Sequence, residues 1–377
     1  MLITRAGTKA EEIAEAIRSR IVDGELRPGG RLPTRVEIES RYSASTITVQ
    51  RALDHLSMQG FVAARGRGGT FVVEQPPHLY RVGIVFPRRP NEGAPWSRFA
   101  TALRDTAASS LWAPRTVVPF FGSGGHADSE DFQELLNDAK CRRLAGLIFA
   151  YEAHELAETA LFDGTAGKVP RVCVSPDKGL TPRVHLDGLS FHRRGLAYLH
   201  ARGRRRVASL LSSEITPDGA GCAALCADVE RLGMETRPEW IHGVDKLRPG
   251  WTASLVRLLV SGGAVARPDA LLIHDDNIVE HATAGLVAAG VRVPDDIEVV
   301  AHCNFPWPTP SAVPLVRLGF DVRQILRVSL EVLDRQRSGK RGKAAEMIAT
   351  VFEHELDGRE SEAGFVAEQP GSPARRR

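Results

Sequence analysis

Short runs rich in valine, isoleucine and leucine recur along most of the chain, and helical stretches lie between most of them. The seven runs are residues 80–87, 116–121, 144–150, 169–175, 206–212, 270–274 and 297–302. Apolar strands that alternate with helices are typical of an α/β fold with a parallel sheet covered on both faces. So many strands in one region favour two Rossmann-like subdomains over one. Ligands bind such sheets at the carboxyl ends of the strands, so the pattern also predicts where a binding site lies.

The first 75 residues have a different pattern, in which three helices follow one another with clear boundaries. Thr8 and Thr34 each precede a glutamate by three residues, a spacing that predicts capping boxes at the starts of two helices. Ser45 predicts the cap of a third helix, because apolar residues recur after it at helical spacing. This apolar face consists of Val49, Ala52, Leu53 and Leu56. Gly60 then predicts the end of the helix.

A glycine-rich hairpin is predicted after the third helix. Residues 61–64 and 70–73 have the composition of strands. The turn between them consists of Arg65, Gly66, Arg67, Gly68 and Gly69. Three helices followed by a hairpin are the plan of a winged helix-turn-helix domain. Between residues 41 and 73, four arginines and one aspartate give a charge of +3, which equals the formal net charge of the whole chain.

The exposed residues of this region suit contact with double-stranded DNA. Those near the N-terminal end of the third helix are Thr46, Thr48, Gln50 and Arg51. That end of a recognition helix is the part that contacts base edges in the major groove. In the hairpin, glycine lets the backbone approach the sugar-phosphate chain, and Arg65 and Arg67 can reach phosphate or the minor groove.

Four motifs in this region, in the same order, resemble the GntR family of bacterial transcription regulators. They are residues 24–33 (GELRPGGRLP), 46–53 (TITVQRAL), 60–62 (GFV) and 66–72 (GRGGTFV). The resemblance implies DNA contact by Arg35, Ser45, Thr46, Thr48, Gln50 and the wing residues 65–69. Arg35 stands one place earlier than the family's arginine, and Thr46 occupies a position where arginine is common, so the operator is expected to differ. Ser45 also has a capping role, and Arg35 has an alternative partner in Glu39.

The rest of the chain resembles the effector domain of LacI-type repressors, which are related to periplasmic sugar-binding proteins. The resemblance lies in residues 82–85, 145–148, 184–187, 268–272, 275–276 and 290–300 (GVRVPDDIEVV). It implies a two-lobed domain with an effector cleft. The expected division is a DNA-binding domain at 1–75, a linker at 76–79, an effector-binding and dimerisation domain at 80–357 and a disordered tail at 358–377. The two prolines of the linker are expected to keep it out of a helix.

The expected effector site departs from the LacI-type pattern. That pattern has Gly-aromatic-Asp-Asp where this chain has residues 301–304 (AHCN), and Asp218 replaces a sugar-binding arginine. Asp275 stands where Asn or Asp usually binds the ligand. The groups that hold vicinal hydroxyls or an anion are lost, so a cationic or amine-bearing effector, or none, is expected. Further candidates lie at strand ends or, for Trp96, near the next helix: Arg88, Trp96, Tyr151, Asp177 and Asn304.

Composition and motifs argue against several other classes of protein. Hydrophobic residues make up 43% and charged residues 25%, as in proteins with real cores, and five scattered cysteines favour reduced thiols. No signal peptide or membrane span is evident, so a cytoplasmic location is expected. The sequence has no GxSxG, Walker or HExxH motif, so no catalytic residue or cofactor is predicted. Buried thiols and hydrogen-bonded imidazoles, not a zinc site, are expected at Cys222, Cys226, His274 and His302.

These features predict a DNA-binding transcriptional repressor that binds an inverted-repeat operator as a homodimer and responds to a small-molecule effector. Two alternatives stay open. One is a ligand-independent DNA-binding regulator with a degenerate pocket. The other is a small-molecule binding protein or enzyme whose winged helix is vestigial.

Overall fold

The computed structural model describes the chain in eleven stretches. They are residues 8–90, 96–122, 129–151, 156, 159–162, 169–175, 182–212, 219–245, 248–263, 267–340 and 345–356. The chain divides into two compact units. The first comprises Met1–Glu92, Arg104–Val184 and Val328–Ala345, and the second comprises Gly93–Leu103, His185–Arg327 and Glu346–Arg377. Within the described stretches no helix is long and apolar enough to cross a bilayer.

The N-terminal head of the first unit has the predicted order of three helices and a hairpin. Its elements are α1 (Lys9–Val22), α2 (Arg35–Tyr42), α3 (Thr46–Met58), β1 (Val62–Ala64) and β2 (Thr70–Val72). Thr8 and Thr34 cap α1 and α2 in the predicted capping boxes, and Ser45 caps α3. Gly60 takes a positive φ of 77° just beyond α3, as its position predicts.

The apolar faces of the three helices meet the hairpin in one core. Its members include Ile13, Ile17, Ile21, Leu32, Ile38, Val49, Ala52, Leu53, Leu56, Phe61 and Val72. The segment before α2 pairs with β2, because the Gly29 N–H donates to Val72 O at 3.1 Å and the Leu32 N–H donates to Thr70 O at 2.9 Å. The motif at residues 24–33 therefore forms an isolated antiparallel bridge to β2, between Arg31 and Phe71, and carries Leu32 into the core.

The segment that follows the head contains a helical turn. Pro77–Tyr80 form α4, with Pro77 in its first turn. The expectation that the two prolines exclude a helix here is therefore wrong. Proline fits the first helical turn because an N–H at that place has no partner within the helix, and its fixed φ already suits the helix.

A six-stranded sheet follows α4. Its strands are β3 (Arg81–Val85), β4 (Thr116–Phe120), β5 (Gly146–Phe149), β6 (Arg171–Val174), β7 (Arg183–Asp187) and β13 (Ala345–Ala349). The order is β13-β7-β6-β5-β3-β4, and the pairs from β7 to β4 are parallel. Helices α5 (Arg98–Ala107) and α6 (Glu130–Lys140) follow β3 and β4 along the chain, and α11 (Val322–Arg337) precedes β13.

The second sheet also has six strands, in the second unit. They are β8 (Val207–Ser212), β9 (Ile241–Val244), β10 (Ala270–Ile273), β11 (Glu298–Phe305), β12 (Val316–Asp321) and β14 (Val351–Phe352). The order is β14-β12-β11-β10-β8-β9, and only the β12–β14 pair is antiparallel. Its helices are α7 (Gly188–Ala201), α8 (Ala220–Arg231), α9 (Trp251–Leu259) and α10 (Val279–Ala288).

Successive residues of β10 enter two different cores of the second unit. Leu271 packs with Val256 of α9 and Leu286 of α10, whereas Leu272 packs with Leu196 of α7 and Leu225 of α8. The sheet is therefore covered by helices on both faces, which explains the continuous apolar runs in its strands. The two parallel sheets and the winged head confirm the predicted fold class.

Candidate nucleic-acid interface and effector site

The exposed face of α3 begins at a cap that involves two hydroxyl groups. Ser45 Oγ accepts a hydrogen bond from the Thr48 N–H at 3.3 Å and lies 2.9 Å from Thr48 Oγ1. Thr46 is exposed beside them. Gln50 is half-buried, and its Nε2 donates to Asp54 Oδ1 at 2.7 Å. The hydroxyls of Ser45 and Thr48 and the amide of Gln50 are thus engaged locally, whereas Thr46 is not held by its neighbours.

Of the four arginines predicted to contact DNA, three are exposed and have no hydrogen-bond or acidic partner among the described residues. They are Arg35 at the start of α2, Arg51 on α3 and Arg67 in the wing turn. The alternative pairing of Arg35 with Glu39 is not formed. Arg65 differs, because it pairs with Glu74 Oε1 at 3.2 Å and its guanidinium lies 4.8 Å from the centroid of the Phe71 ring. Guanidinium groups without a protein partner are ready to bind phosphate, whereas Arg65 must first leave Glu74.

The tip of the wing is a tight turn whose shape depends on glycine. Gly66–Gly68 form one 3-10 turn, and the Arg65 N–H donates to Gly69 O at 2.8 Å. Gly66 and Gly69 have positive φ values of 52° and 99°, which side-chain-bearing residues adopt only with strain. No atom lies within 4 Å of the place that a Cβ would take at Gly66. The tip therefore has an open backbone surface that another molecule can approach closely.

In the second unit, the predicted residues Asp275 and Asn304 lie at the carboxyl ends of β10 and β11. The Nδ2 of Asn304 donates to Oδ2 of Asp276 at 2.7 Å, and both side chains are buried. Oδ1 of Asp275 accepts from the backbone N–H and from Nδ2 of Asn277, at 2.9 and 2.6 Å. Burial raises the pKa of Asp276 to about 7, although the Asn304 hydrogen bond opposes this shift.

Two histidines at the same edge of the sheet were not assigned to the site by the sequence. His274 directly follows β10, His302 lies in β11, and both imidazoles lie against the Phe191 ring, with centroids 4.9 and 5.5 Å away. Burial lowers the pKa of His274 to about 3 and that of His302 to about 4, so both rings are neutral at neutral pH. Nε2 of His274 is buried without a hydrogen-bond partner among the described residues. The expectation of a fully hydrogen-bonded imidazole is therefore wrong for His274.

The other predicted effector residues are distributed between the two units. In the first unit, Arg88 is exposed beyond β3, and Tyr151 follows the neighbouring strand β5 with its ring edge-on to Phe149 at 6.2 Å. In the second unit, Trp96 is half-buried and precedes α5 by two residues. Two further predicted residues lie outside the described residues: Asp177 and Asp218.

The described residues contain no group of three or more His, Cys, Asp or Glu side chains arranged to hold a metal ion. Cys222 and Cys226 are neighbouring free thiols on α8. Burial raises the pKa of Cys222, and the nearby Cys226 adds to the shift. Cys222 is therefore held as a thiol and not as the thiolate that metals and electrophiles require.

Two parts of the chain match known protein families. Residues 9–72 match the bacterial regulatory proteins of the gntR family. Residues 196–361 match the periplasmic binding protein-like domain. The first match covers the winged head with the motifs described above, and the second covers most of the second unit.

Several characterised proteins are similar to the chain. The mannosyl-D-glycerate transport/metabolism system repressor MngR of Escherichia coli is 38% identical over 64 residues, 17% of this chain and 27% of that protein. An HTH-type transcriptional regulator of Mycobacterium tuberculosis is 37% identical over 83 residues, and the match spans 31% of its length. The chain thus matches less than a third of each of these two relatives. The arabinose metabolism transcriptional repressor of Geobacillus stearothermophilus is 22% identical over 332 residues, 81% of this chain and 85% of that one.

Solved structures of LacI-family regulators share the fold of the two lobes. One from Lactobacillus casei with bound Tris is 20% identical, with a TM-score of 0.52 over 74% of this chain and 96% of that chain. Another, from Chloroflexus aggregans, is 16% identical, with a TM-score of 0.56 over 72% of this chain and 96% of that chain. The head is thus a helix-turn-helix domain of the gntR family. It is joined to a periplasmic binding protein-like domain with the fold of LacI-family regulators.

Proposed function

We propose that the protein is a DNA-binding transcriptional repressor controlled by a small-molecule effector. The observation that carries this proposal is that three arginines predicted to contact DNA are exposed and have no hydrogen-bond or acidic partner among the described residues: Arg35 on α2, Arg51 on α3 and Arg67 in the wing. The gntR-type head supports it, as do relatives that are named as repressors. No catalytic role is assigned to any residue.

In this proposal α3 enters the major groove with its N-terminal end. Ser45, Thr46, Thr48 and Gln50 meet base edges or the adjoining phosphates. Arg35 and Arg51 neutralise phosphates on the two sides of the groove, and the start of α3 adds its free N–H groups. The wing lies against the backbone, where Gly66 and Gly68 allow close approach and Arg65 and Arg67 supply charge.

The operator is an inverted repeat that a homodimer recognises, with one head on each half-site. Residues 1–75 bind DNA, residues 76–79 connect them to the body, and residues 80–357 bind the effector and dimerise. The protein therefore works in the cytoplasm, where the DNA is.

The effector binds at the carboxyl ends of the strands. In the second unit the proposed effector contacts are Asp275 and Asn304. The periplasmic binding protein-like match supports a small-molecule ligand. Because the arginine that holds sugar hydroxyls in LacI-type proteins has no counterpart at Asp218, the effector need not be the ligand of any relative.

The test is the salt dependence of DNA binding. Fluorescence anisotropy with a duplex selected from the adjoining intergenic DNA gives the slope of log K against log salt. Arg51→Ala and Arg67→Ala should each lower the magnitude of this slope by about 1 and weaken binding about tenfold near physiological salt. Both arginines are exposed and unpaired, so neither change should affect folding.

Lys9→Ala is the matched control. It removes the same charge from the head, but Lys9 lies at the start of α1 and pairs with Glu12 at 3.2 Å. Its slope should equal that of the unmodified protein. Equal slopes for all three variants and the unmodified protein would refute the assignment of Arg51 and Arg67 to the interface. Failure to enrich any duplex would refute the proposed function itself.

A further inference from the structure

The carboxyl ends of β10 and β11 contain two buried polar atoms that no described residue satisfies. One is Oδ1 of Asn304, whose residue is only 1% exposed, and the other is Nε2 of His274. Buried polar atoms in native proteins nearly always have hydrogen-bond partners, since leaving them unpaired destabilises the fold. Two such atoms at one edge of a sheet indicate a place that a bound molecule completes.

The register of the sheet places the two residues at the ends of neighbouring strands. Ile273 of β10 lies opposite Ala301 of β11, and continuing this register past the end of β10 sets Asp276 beside Asn304. The hydrogen bond between these two side chains agrees with that placement. His274 is two residues before Asp276 on the same strand end, so all three side chains belong to one small region of adjoining strands.

Both unpaired atoms can act as hydrogen-bond acceptors. Oδ1 of Asn304 is a carbonyl oxygen that can only accept, and Nδ2 of the same side chain is already bonded to Asp276. Burial keeps the His274 imidazole neutral, with its pKa lowered to about 3, so Nε2 accepts when Nδ1 carries the proton. Hydrogen-bond donors on a ligand can therefore satisfy both atoms.

Charge narrows the class of ligand further. Among the described residues, Asp276 has no cationic partner within ion-pair distance, and Asp275 is its nearest acidic neighbour. Arg98 is the cation that acts on Asp276, but its guanidinium is directed to Glu280 at 3.5 Å. Asp275 and Asp276 thus supply two carboxyl groups against one guanidinium that Glu280 shares, and the neutral histidines add no positive charge. Such a region favours a cation and disfavours an anion.

We propose that this region binds the effector through a protonated amine, with Asp276 as the counter-ion and Asn304 Oδ1 and His274 Nε2 as acceptors. This inference rests on the proposed function, since it names the chemical class of the effector. An ammonium group carries three donors and a charge, so it can bond to both acceptors and the carboxylate at once. A hydroxyl group offers one donor and no charge, so it can bond to one of these groups and cannot neutralise the carboxylate.

Matched amine and alcohol pairs test the proposal by titration calorimetry with the full chain in phosphate buffer. Suitable pairs are glucosamine against glucose and 1,4-diaminobutane against 1,4-butanediol. The amine of at least one pair should bind at least tenfold more tightly than its alcohol. For 1,4-diaminobutane, whose amines stay protonated in this range, the affinity should rise from about pH 6 to 8 with release of a proton from Asp276. The reason is that the amine binds the ionised carboxylate, on which Asp275 and Arg98 act in opposite directions.

Two variants and a control complete the experiment. Asp276→Asn should weaken amine binding about 10- to 100-fold, because a charge-assisted contact is lost. His274→Phe keeps a ring against Phe191 but removes Nε2, and it should weaken binding several-fold. Asp295→Asn removes a carboxylate from the surface of the same unit, where Asp295 is 69% exposed, and should leave binding unchanged. Thermal melting of each variant shows that it is folded.

Three results would overturn the inference. They are equal affinity for amine and alcohol, unchanged amine affinity in Asp276→Asn, and no binding of any amine up to about 10 mM. DNA affinity measured on the same samples separates the two proposals. Absent amine binding with intact DNA binding defeats only the ligand class, whereas absent DNA binding defeats the proposed function.

Discussion

Among the described residues, the head and the second sheet both contain polar groups without a partner, but in opposite surroundings. In the head the unpaired groups are guanidiniums such as those of Arg51 and Arg67, and both side chains are exposed. In the second sheet they are Asn304 Oδ1 and His274 Nε2, and both atoms are buried. Water solvates the exposed groups at almost no cost, whereas burial penalises the others.

The difference indicates which kind of partner each region binds. A surface for a polyanion can keep its cations in solvent until the partner arrives, because binding only exchanges counterions. A site for a small molecule must hold its polar atoms out of water beforehand, so the empty site is less stable than it could be. Removal of an exposed arginine from the head should therefore alter DNA affinity alone, whereas changes in the second sheet should alter stability as well.

The largest expected effect concerns the pH dependence of stability. Burial raises the pKa of Asp276 from 3.8 to about 7 in the folded chain, so the folded state binds this proton more tightly than the unfolded state. The resulting stability is fully present below about pH 4 and is lost as the pH rises through about 7. Asp276→Asn removes this loss. The free energy of unfolding, measured with urea, should rise in the variant relative to the unmodified protein by on the order of a few kcal/mol between about pH 5 and 8.

The histidines of the same sheet give the opposite dependence. The pKa values of His274 and His302 are lowered to about 3 and about 4. The stability that these histidines contribute to the folded chain is therefore present above about pH 6.5 and is lost as the pH falls toward 4. Asp276→Asn should keep this acid-side loss, which serves as an internal control. Parallel stability curves for the variant and the unmodified protein from about pH 5 to 8 would contradict the assignment.

An intermediate effect is expected at Ser45, where the capping role and the proposed DNA contact coincide. Ser45→Ala removes the acceptor for the Thr48 N–H and should lower the free energy of unfolding by about 1 kcal/mol. Ser45→Asp keeps a capping oxygen but places a negative charge where phosphate is expected. Its melting temperature should be nearly unchanged and its DNA affinity lower. Retained DNA affinity in Ser45→Asp would remove Ser45 from the interface.

The elements of the head could be predicted from the sequence because the interactions that begin and end its helices are local. The capping boxes at Thr8 and Thr34 and the cap at Ser45 each depend on residues three positions apart. The helical turn Pro77–Tyr80 departs from the expectation because proline breaks the interior of a helix but fits its first turn. The pairing of residues 29–32 with β2 was also missed, since it joins segments about 40 residues apart.

The sheets were predictable only where strands are apolar throughout. β9 (Ile241–Val244) lies at an edge, and β12 (Val316–Asp321) contains Arg317 and Gly319, so neither has the run of branched residues that marks β10 or β11. At the candidate site, the predicted positions of strand ends place Asp275 and Asn304 at the same edge of the sheet, as the structure does. The role of His274 could not be predicted, because its neutrality and its unpaired Nε2 arise from burial, which is a property of the assembled fold.

The smallest expected effect distinguishes a paired arginine from an unpaired one within the wing. Arg65 pairs with Glu74, so DNA must compete with that carboxylate for it, whereas Arg67 has no such competitor among the described residues. Arg65→Ala should therefore weaken DNA binding about threefold or less, against about tenfold for Arg67→Ala, because an exposed ion pair contributes only about 0.2–1 kcal/mol. Anisotropy titrations at one salt concentration measure both.

Glu74→Gln sharpens the comparison, because it releases Arg65 without changing the arginine. DNA affinity should rise up to about threefold in this variant, and the gain should vanish when Arg65→Ala is added. Equal losses for Arg65→Ala and Arg67→Ala, with no gain for Glu74→Gln, would mean that the Arg65–Glu74 pair opens on DNA without cost. The pairing of surface arginines in the free head would then say nothing about which of them bind DNA. The proposed roles of Arg35 and Arg51 would have to be established from their variants alone.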